Sequence, residues 1–170
     1  MIIIVQNKRK SNNPWEFIIT LSIYVDADAC PVKEEILKVA YRHDTPVYLV
    51  SNQWMRIDGG PLVQKIVVSE GADEADNWIA DHIKENDIAI TADIPLAKRC
   101  LDKNAVAIGP TGRLFSTENI GMAMAMRDLK AHLRETGESK GYNASFTKND
   151  RSNFLQQLEK YINIQKRIQN

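Results

Sequence analysis

From Ser22 onward, short apolar runs alternate with segments whose apolar residues recur every three or four positions. Ile23-Tyr24-Val25 is such a run. Pro31, a residue accepted in the first turn of a helix, then opens a segment carrying Val32, Ile36, Val39 and Ala40. Together they predict a first strand and helix. Val47-Tyr48-Leu49-Val50 and Ile66-Val67-Val68 predict a second and a third strand, with Asp58-Gly59-Gly60-Pro61 as the turn between them. Ala75, Trp78, Ile79, His82 and Ile83 fall on one face of a helix expected to pack on the sheet. Ile88-Ala89-Ile90-Thr91 predicts a fourth strand, Leu96, Ala97, Cys100 and Leu101 a helix, and Ala105 to Ile108 a fifth strand ended by Gly109-Pro110. Met122, Ala125, Met126, Leu129 and Leu133 mark a longer helix, and Glu135 to Ser145 a polar surface loop. Thr147 with Asp150 three residues on forms a weak capping box before a last helix with Leu155, Leu158 and Ile162. The strands are continuous apolar runs, as strands covered on both faces are. Parallel strands need helical crossovers, so the expected fold is α/β, three layers α/β/α with a mainly parallel central sheet.

Residues 1–22 stand apart, because Asn7 to Pro14 is a polar run between two apolar pieces and reads as a linker or arm. Residues 23–168 are expected to form a single domain, and 170 residues with 44% hydrophobic content suffice for one core. Cys30 and Cys100 lack a Cys-x-x-Cys pattern and read as plain thiols of a reducing compartment. No apolar stretch approaches bilayer length, and Met1 to Val5 is too short for a signal peptide, so a soluble, cytoplasmic chain without a membrane partner is expected. Lysine plus arginine equals aspartate plus glutamate at 22 each. That balance argues against avid, sequence-independent DNA binding and leaves room for local contact with one phosphate group.

The candidate chemistry lies where strands end. Ligands of open parallel sheets bind outside the carboxyl ends of the strands. Asp26 and Asp28 follow the first strand, Asp73 and Asp76 the third, and Asp93 the fourth. If those strands are neighbours, like charges meet and raise one another's pKa, a cost that a divalent cation removes. Hard oxygen donors without histidine or thiolate favour Mg or Mn over zinc. Simpler roles exist for several of these residues. Asp73 and Asp76 suit a helix N-terminus, and Asp93, just before Pro95, suits a cap. Glu34 and Glu35 are expected on a solvated helix face, Cys30 as a small buried side chain, and His43, His82 and His132 as structural or surface groups. Gly109-Pro110-Thr111-Gly112-Arg113 offers backbone and guanidinium groups to a phosphate, or is simply a turn. From Arg127 to Asn170 nine basic residues, Arg151 among them, face five acidic ones. That excess suits phosphate contacts or solvated helix faces.

Tyr24 to Val32, with its Asp26-Ala27-Asp28-Ala29-Cys30-Pro31 core, together with Gly71-Ala72-Asp73-Glu74-Ala75-Asp76 and Thr91-Ala92-Asp93-Ile94-Pro95-Leu96-Ala97, resembles the YaiI/YqxD family of bacterial proteins. The resemblance extends through Gly109 to Arg113 and Phe146 to Ser152, and the arm of residues 1–22 departs from the family pattern. That family is similar to the PIN-like superfamily, whose nucleases hold Mg or Mn with acidic strand-end residues and cut RNA. The resemblance implies metal binding by Asp26, Asp93 and Asp73 or Asp76, with Asp28 completing the set, and catalytic roles for Asp26, Asp28 and Asp93. RNA or a phosphorylated small molecule is the implied partner. Asp26-x-Asp28 with Val50-Ser51-Asn52 also resembles the first motifs of haloacid dehalogenase-type phosphatases, in which Asp26 would be the nucleophile and Ser51 and Asn52 phosphate contacts. The later motifs of that group match poorly. A third reading keeps the fold and a metal- or RNA-binding role without hydrolysis.

Overall fold

The computed structural model describes residues 3–4, 21–28, 30–71, 73–138 and 144–169. Most of the proposed arm, including the apolar segment Phe17 to Thr20, lies outside the described residues. Among the described residues seven strands form one sheet: β1 (Ile3–Ile4), β2 (Ile23–Asp26), β3 (Val47–Ser51), β4 (Val63–Val67), β5 (Ile88–Ile90), β6 (Val106–Ile108) and β7 (Leu114–Phe115). Five helices accompany them: α1 (Lys33–Arg42), α2 (Glu74–His82), α3 (Ile94–Leu101), α4 (Ile120–Glu135) and α5 (Lys148–Gln169). The strand order is β1-β4-β3-β2-β5-β6-β7. The five central strands are parallel, and the two-residue β1 and β7 pair antiparallel at the edges.

This is the three-layer α/β/α architecture that the apolar runs predict. Alternate residues of one strand enter opposite layers. Ile23 and Val25 pack with Val32, Ile36 and Val39 of the α1 region and with Phe154, Leu158 and Ile162 of α5. Tyr24 turns the other way, onto Ala75, Ile79 and Ile83 of the α2 region and Leu96 and Cys100 of α3. Both faces are dry, so strand residues at both parities must be apolar.

Several local details depart from expectation. The third parallel strand starts earlier, at Val63, because a 3-10 turn at Gly60–Leu62 delivers the chain to the sheet edge. Helix α1 starts at Lys33, two residues after Pro31. Strand β7 was not anticipated, since a two-residue pairing leaves no periodicity to read. The Thr147–Asp150 capping box closes reciprocally: Asp150 N donates to Thr147 Oγ1 at 3.1 Å and Thr147 N to Asp150 Oδ2 at 2.8 Å. Glu35, expected in solvent, is 5% exposed and ion-paired with Arg151 of α5. Long helix α4 buries only Ile120 and Ala123, leaving Met122, Met126 and Leu129 exposed where a core face was expected. Among the described residues no helix is long and apolar enough to cross a membrane.

Candidate functional site

The strand order puts the chemistry at one place. Chain order runs outward from β2 through β3 to β4, then returns to place β5 on the other side of β2. The carboxyl ends of β2 and β5 therefore flank the crevice where connections diverge, the usual ligand position in such sheets. Asp26 ends β2, and Thr91 and Asp93 follow β5.

One hydroxyl joins the two strand ends. Thr91 Oγ1 donates to Asp26 Oδ2 at 3.1 Å and accepts from Asp93 N at 2.9 Å. Asp93 Oδ1 in turn accepts from Leu96 N at 2.8 Å and caps α3. The capping role anticipated for Asp93 is thus real, and it uses one carboxylate oxygen only. Asp26 Oδ1 and Asp93 Oδ2 accept no hydrogen bond among the described residues.

The second pair of acids arrives on α2, which packs beside α3. Asp73 makes no side-chain cap bond to that helix. Burial pushes the Asp76 carboxyl up to about 6, reinforced by the negative charges of Asp93, Asp26 and Asp73 and opposed by Arg99. Asp26 is raised chiefly by burial, with Asp28 and Asp93 adding to it and the Thr91 hydrogen bond opposing. Acids from three separate strand ends therefore feel one another's fields. Asp28 is exposed and held at the rim, where Asn52 N donates to its Oδ2 at 2.9 Å. Asn52 Nδ2 also donates to Gly71 O at 2.9 Å, so this residue, through its backbone and its side chain, ties together the loops after β2, β3 and β4.

The donor set fits a hard divalent cation in kind: all-oxygen, negative, and under mutual repulsion that positive charge relieves. Among the described residues no group of three or more histidine, cysteine, aspartate or glutamate side chains forms a ready-made cage.

The remaining candidates are scattered. Ser51 is buried and its Oγ donates to Gln53 O at 2.6 Å, so the hydroxyl is engaged within its own loop. Arg151 faces Glu35, Pro31 O and the Phe146 ring in a cleft of about 720 Å³ that Lys33 and Arg56 also line. Arg113 lies over the Phe115 ring on the opposite flank, in a second cleft of about 650 Å³ that includes Ala92. Cys30 and Cys100 are buried and their thiols are pushed up by that burial, Cys100 to about 12. His43 bonds Glu159 at 2.6 Å, and His82 stacks on Trp78. Thr91 is the member that residue-by-residue reasoning passed over; its place two residues before Asp93, at the end of a strand, was the available signal.

The family model described as uncharacterized BCR, YaiI/YqxD family, matches residues 24–164. A UPF0178 protein of Agrobacterium fabrum is 62% identical over 139 residues, 82% of this chain and 91% of that protein. A UPF0178 protein of Rhizobium meliloti is 59% identical over 145 residues, 85% and 99% of the respective chains. One of Rhodospirillum rubrum is 51% identical over 148 residues, 86% and 99%. No solved structure matches.

Proposed function

The chain belongs to the YaiI/YqxD family, and from that premise we propose that it is a divalent-metal-dependent, PIN-like nuclease hydrolysing RNA or another phosphodiester. The observation that carries the reading is the Thr91 bridge between Asp26 and Asp93 at the β2/β5 switch point, with Asp76 near enough to feel both charges. Carboxyls raised as those of Asp26 and Asp76 are cluster at functional sites more often than elsewhere. Asp26 and Asp93 would hold the cation through the oxygens left free by Thr91 and Leu96, with Asp76 beside them and Asp28 and Asp73 at the rim. Magnesium or manganese, when bound, supplies Lewis acidity toward a phosphoryl oxygen and a water.

The chain's own groups do the positioning. Thr91 holds one oxygen of the Asp26 carboxylate, which restricts that side chain and leaves the other oxygen to a cation. Asn52 holds Asp28 at the entrance, where an incoming phosphodiester arrives first. Asp76, its carboxyl raised to about 6 by burial and the neighbouring acids, would ionise more readily with positive charge in the cluster.

The reading predicts that EDTA-treated protein regains cleavage of single-stranded RNA on addition of Mn²⁺. Asp26→Asn should abolish that cleavage, and Mn²⁺ should raise the melting temperature of the wild type but not of the variant. Cleavage at the wild-type rate by Asp26→Asn refutes the assignment. Metal-dependent stabilisation without turnover on any nucleic acid leaves a non-catalytic metal-binding module instead.

A further inference from the structure

The cleft beside Arg113 is cationic in a molecule of balanced charge. It runs between α3, β7 and α4, and four cations line it: Arg113, Arg127, Lys130 and Arg134. No carboxylate is among its described lining residues, although the whole chain carries 22 acidic residues against 22 basic ones. Arg127 touches Asp128 at 3.2 Å, but both side chains are exposed, and such a pair holds little in water. The other feature is apolar. Met122 and Met126, 71% and 45% exposed, stand on the same helix within this cationic frame. Ala92, an exposed residue between Thr91 and Asp93, also lines it, so one edge of the cleft reaches the chain segment that carries the strand-end acids.

We infer that this α3–β7–α4 cleft is a docking track for single-stranded nucleic acid, leading a phosphodiester toward Asp26 and Asp93. The inference deepens the nuclease reading and takes its purpose from it. Cations spaced along one helix suit successive phosphates, whose neutralisation supplies sequence-independent affinity. Exposed methionines are flexible and polarizable, and suit the faces of unstacked bases, which a duplex keeps hidden. A second copy of the chain is a poorer occupant. A twofold contact through this face would set its cations against the same cations of the partner. The inference gives Arg113 the phosphate role that its sequence motif suggested and adds Arg127, Lys130 and Arg134 to it.

The test is fluorescence anisotropy of labelled oligouridylate with the full chain in EDTA, compared across salt concentrations. The triple variant R127Q/K130Q/R134Q changes only exposed side chains, and an unchanged melting temperature verifies its fold. Removing three phosphate contacts should reduce the slope of log affinity against log salt by about 2, so that between about 50 and 200 mM salt the wild type loses roughly twentyfold more affinity than the variant. Neutralising Lys84, Lys103 and Lys160 elsewhere should leave the slope as it is. Equal affinity and slope for wild type and triple variant would overturn the inference, as would equal displacement of the RNA by polyglutamate of matching length. A concentration-dependent wild-type dimer that Met126→Asp dissociates would also overturn it, by showing that the face is a self-contact. Binding needs no metal in this experiment. Loss of the track with cleavage intact would sink this inference alone, and binding that depends on the track with no cleavage would sink the nuclease reading alone.

Discussion

Replacing Asp76 by Asn tests the electrostatics of the site without any substrate. In metal-free protein the Asp76 carboxyl is raised from 3.8 to about 6, first by burial and then by Asp93, Asp26 and Asp73. A folded-state pKa above the unfolded value means that the native state holds the proton more tightly. Stability is therefore greatest below the unfolded value and declines as pH rises through about 6, where the native site is forced to ionise. A pKa rise of that size corresponds to about 3 kcal/mol as a ceiling. The side chain is only half-buried, so solvent screening reduces this to about 1.5 kcal/mol. Asp76 also sits in the first turn of α2, where losing a negative charge costs about 0.5 kcal/mol through the helix dipole. The net expectation for Asp76→Asn is a gain of about 1 kcal/mol at pH 8, or about 2–4 °C in melting temperature for a chain of this size. At pH 4 the gain should vanish, because the wild-type carboxyl is then protonated. Thermal melts of both proteins in EDTA across that range measure the difference directly. A difference that is constant with pH, or a variant less stable at pH 8 than at pH 4 relative to wild type, refutes the idea of mutually repelling carboxylates.

Asp93 has two roles that substitution can separate: Asp93→Ala removes the cap on Leu96 N and should cost about 1 kcal/mol in urea unfolding, whereas Asp93→Asn keeps an acceptor and should cost only a few tenths. If both lose metal-dependent stabilisation to the same degree, the charge rather than the cap serves the cation. Arg151→Ala leaves the buried Glu35 carboxylate without its partner, and because Arg151 itself is partly exposed the expected loss is about 2 kcal/mol, below that of a fully buried pair; Glu35→Gln in the same background should recover much of it in denaturant titrations. Gly112 has φ +86, and a Cβ there would lie 2.7 Å from the Asn153 backbone of α5, so Gly112→Ala should destabilise by about 2–4 kcal/mol and be visible as a lowered midpoint in guanidinium.

The strands, most helices and the layer architecture were written locally. Apolar runs with both parities filled can only lie between two covering layers, and the Thr147–Asp150 box closes within four residues of chain. The positions of the five aspartates relative to strand ends were legible for the same reason. Which strand ends meet was not. Thr91 and Asp26 are 65 residues apart, and their contact exists because β5 returns to lie against β2, a choice made by packing the crossover helices rather than by either segment. Long-range partners decided the fate of Glu35 as well: periodicity places it on a helix face, but only the arrival of Arg151 from 116 residues away makes that face an interior one. Helix α4 shows the converse. Its Met122, Met126 and Leu129 repeat at the spacing of a core face, yet all three stand exposed. Periodicity reports that a helix has an apolar side; whether that side is buried depends on which neighbours the rest of the chain can bring to it.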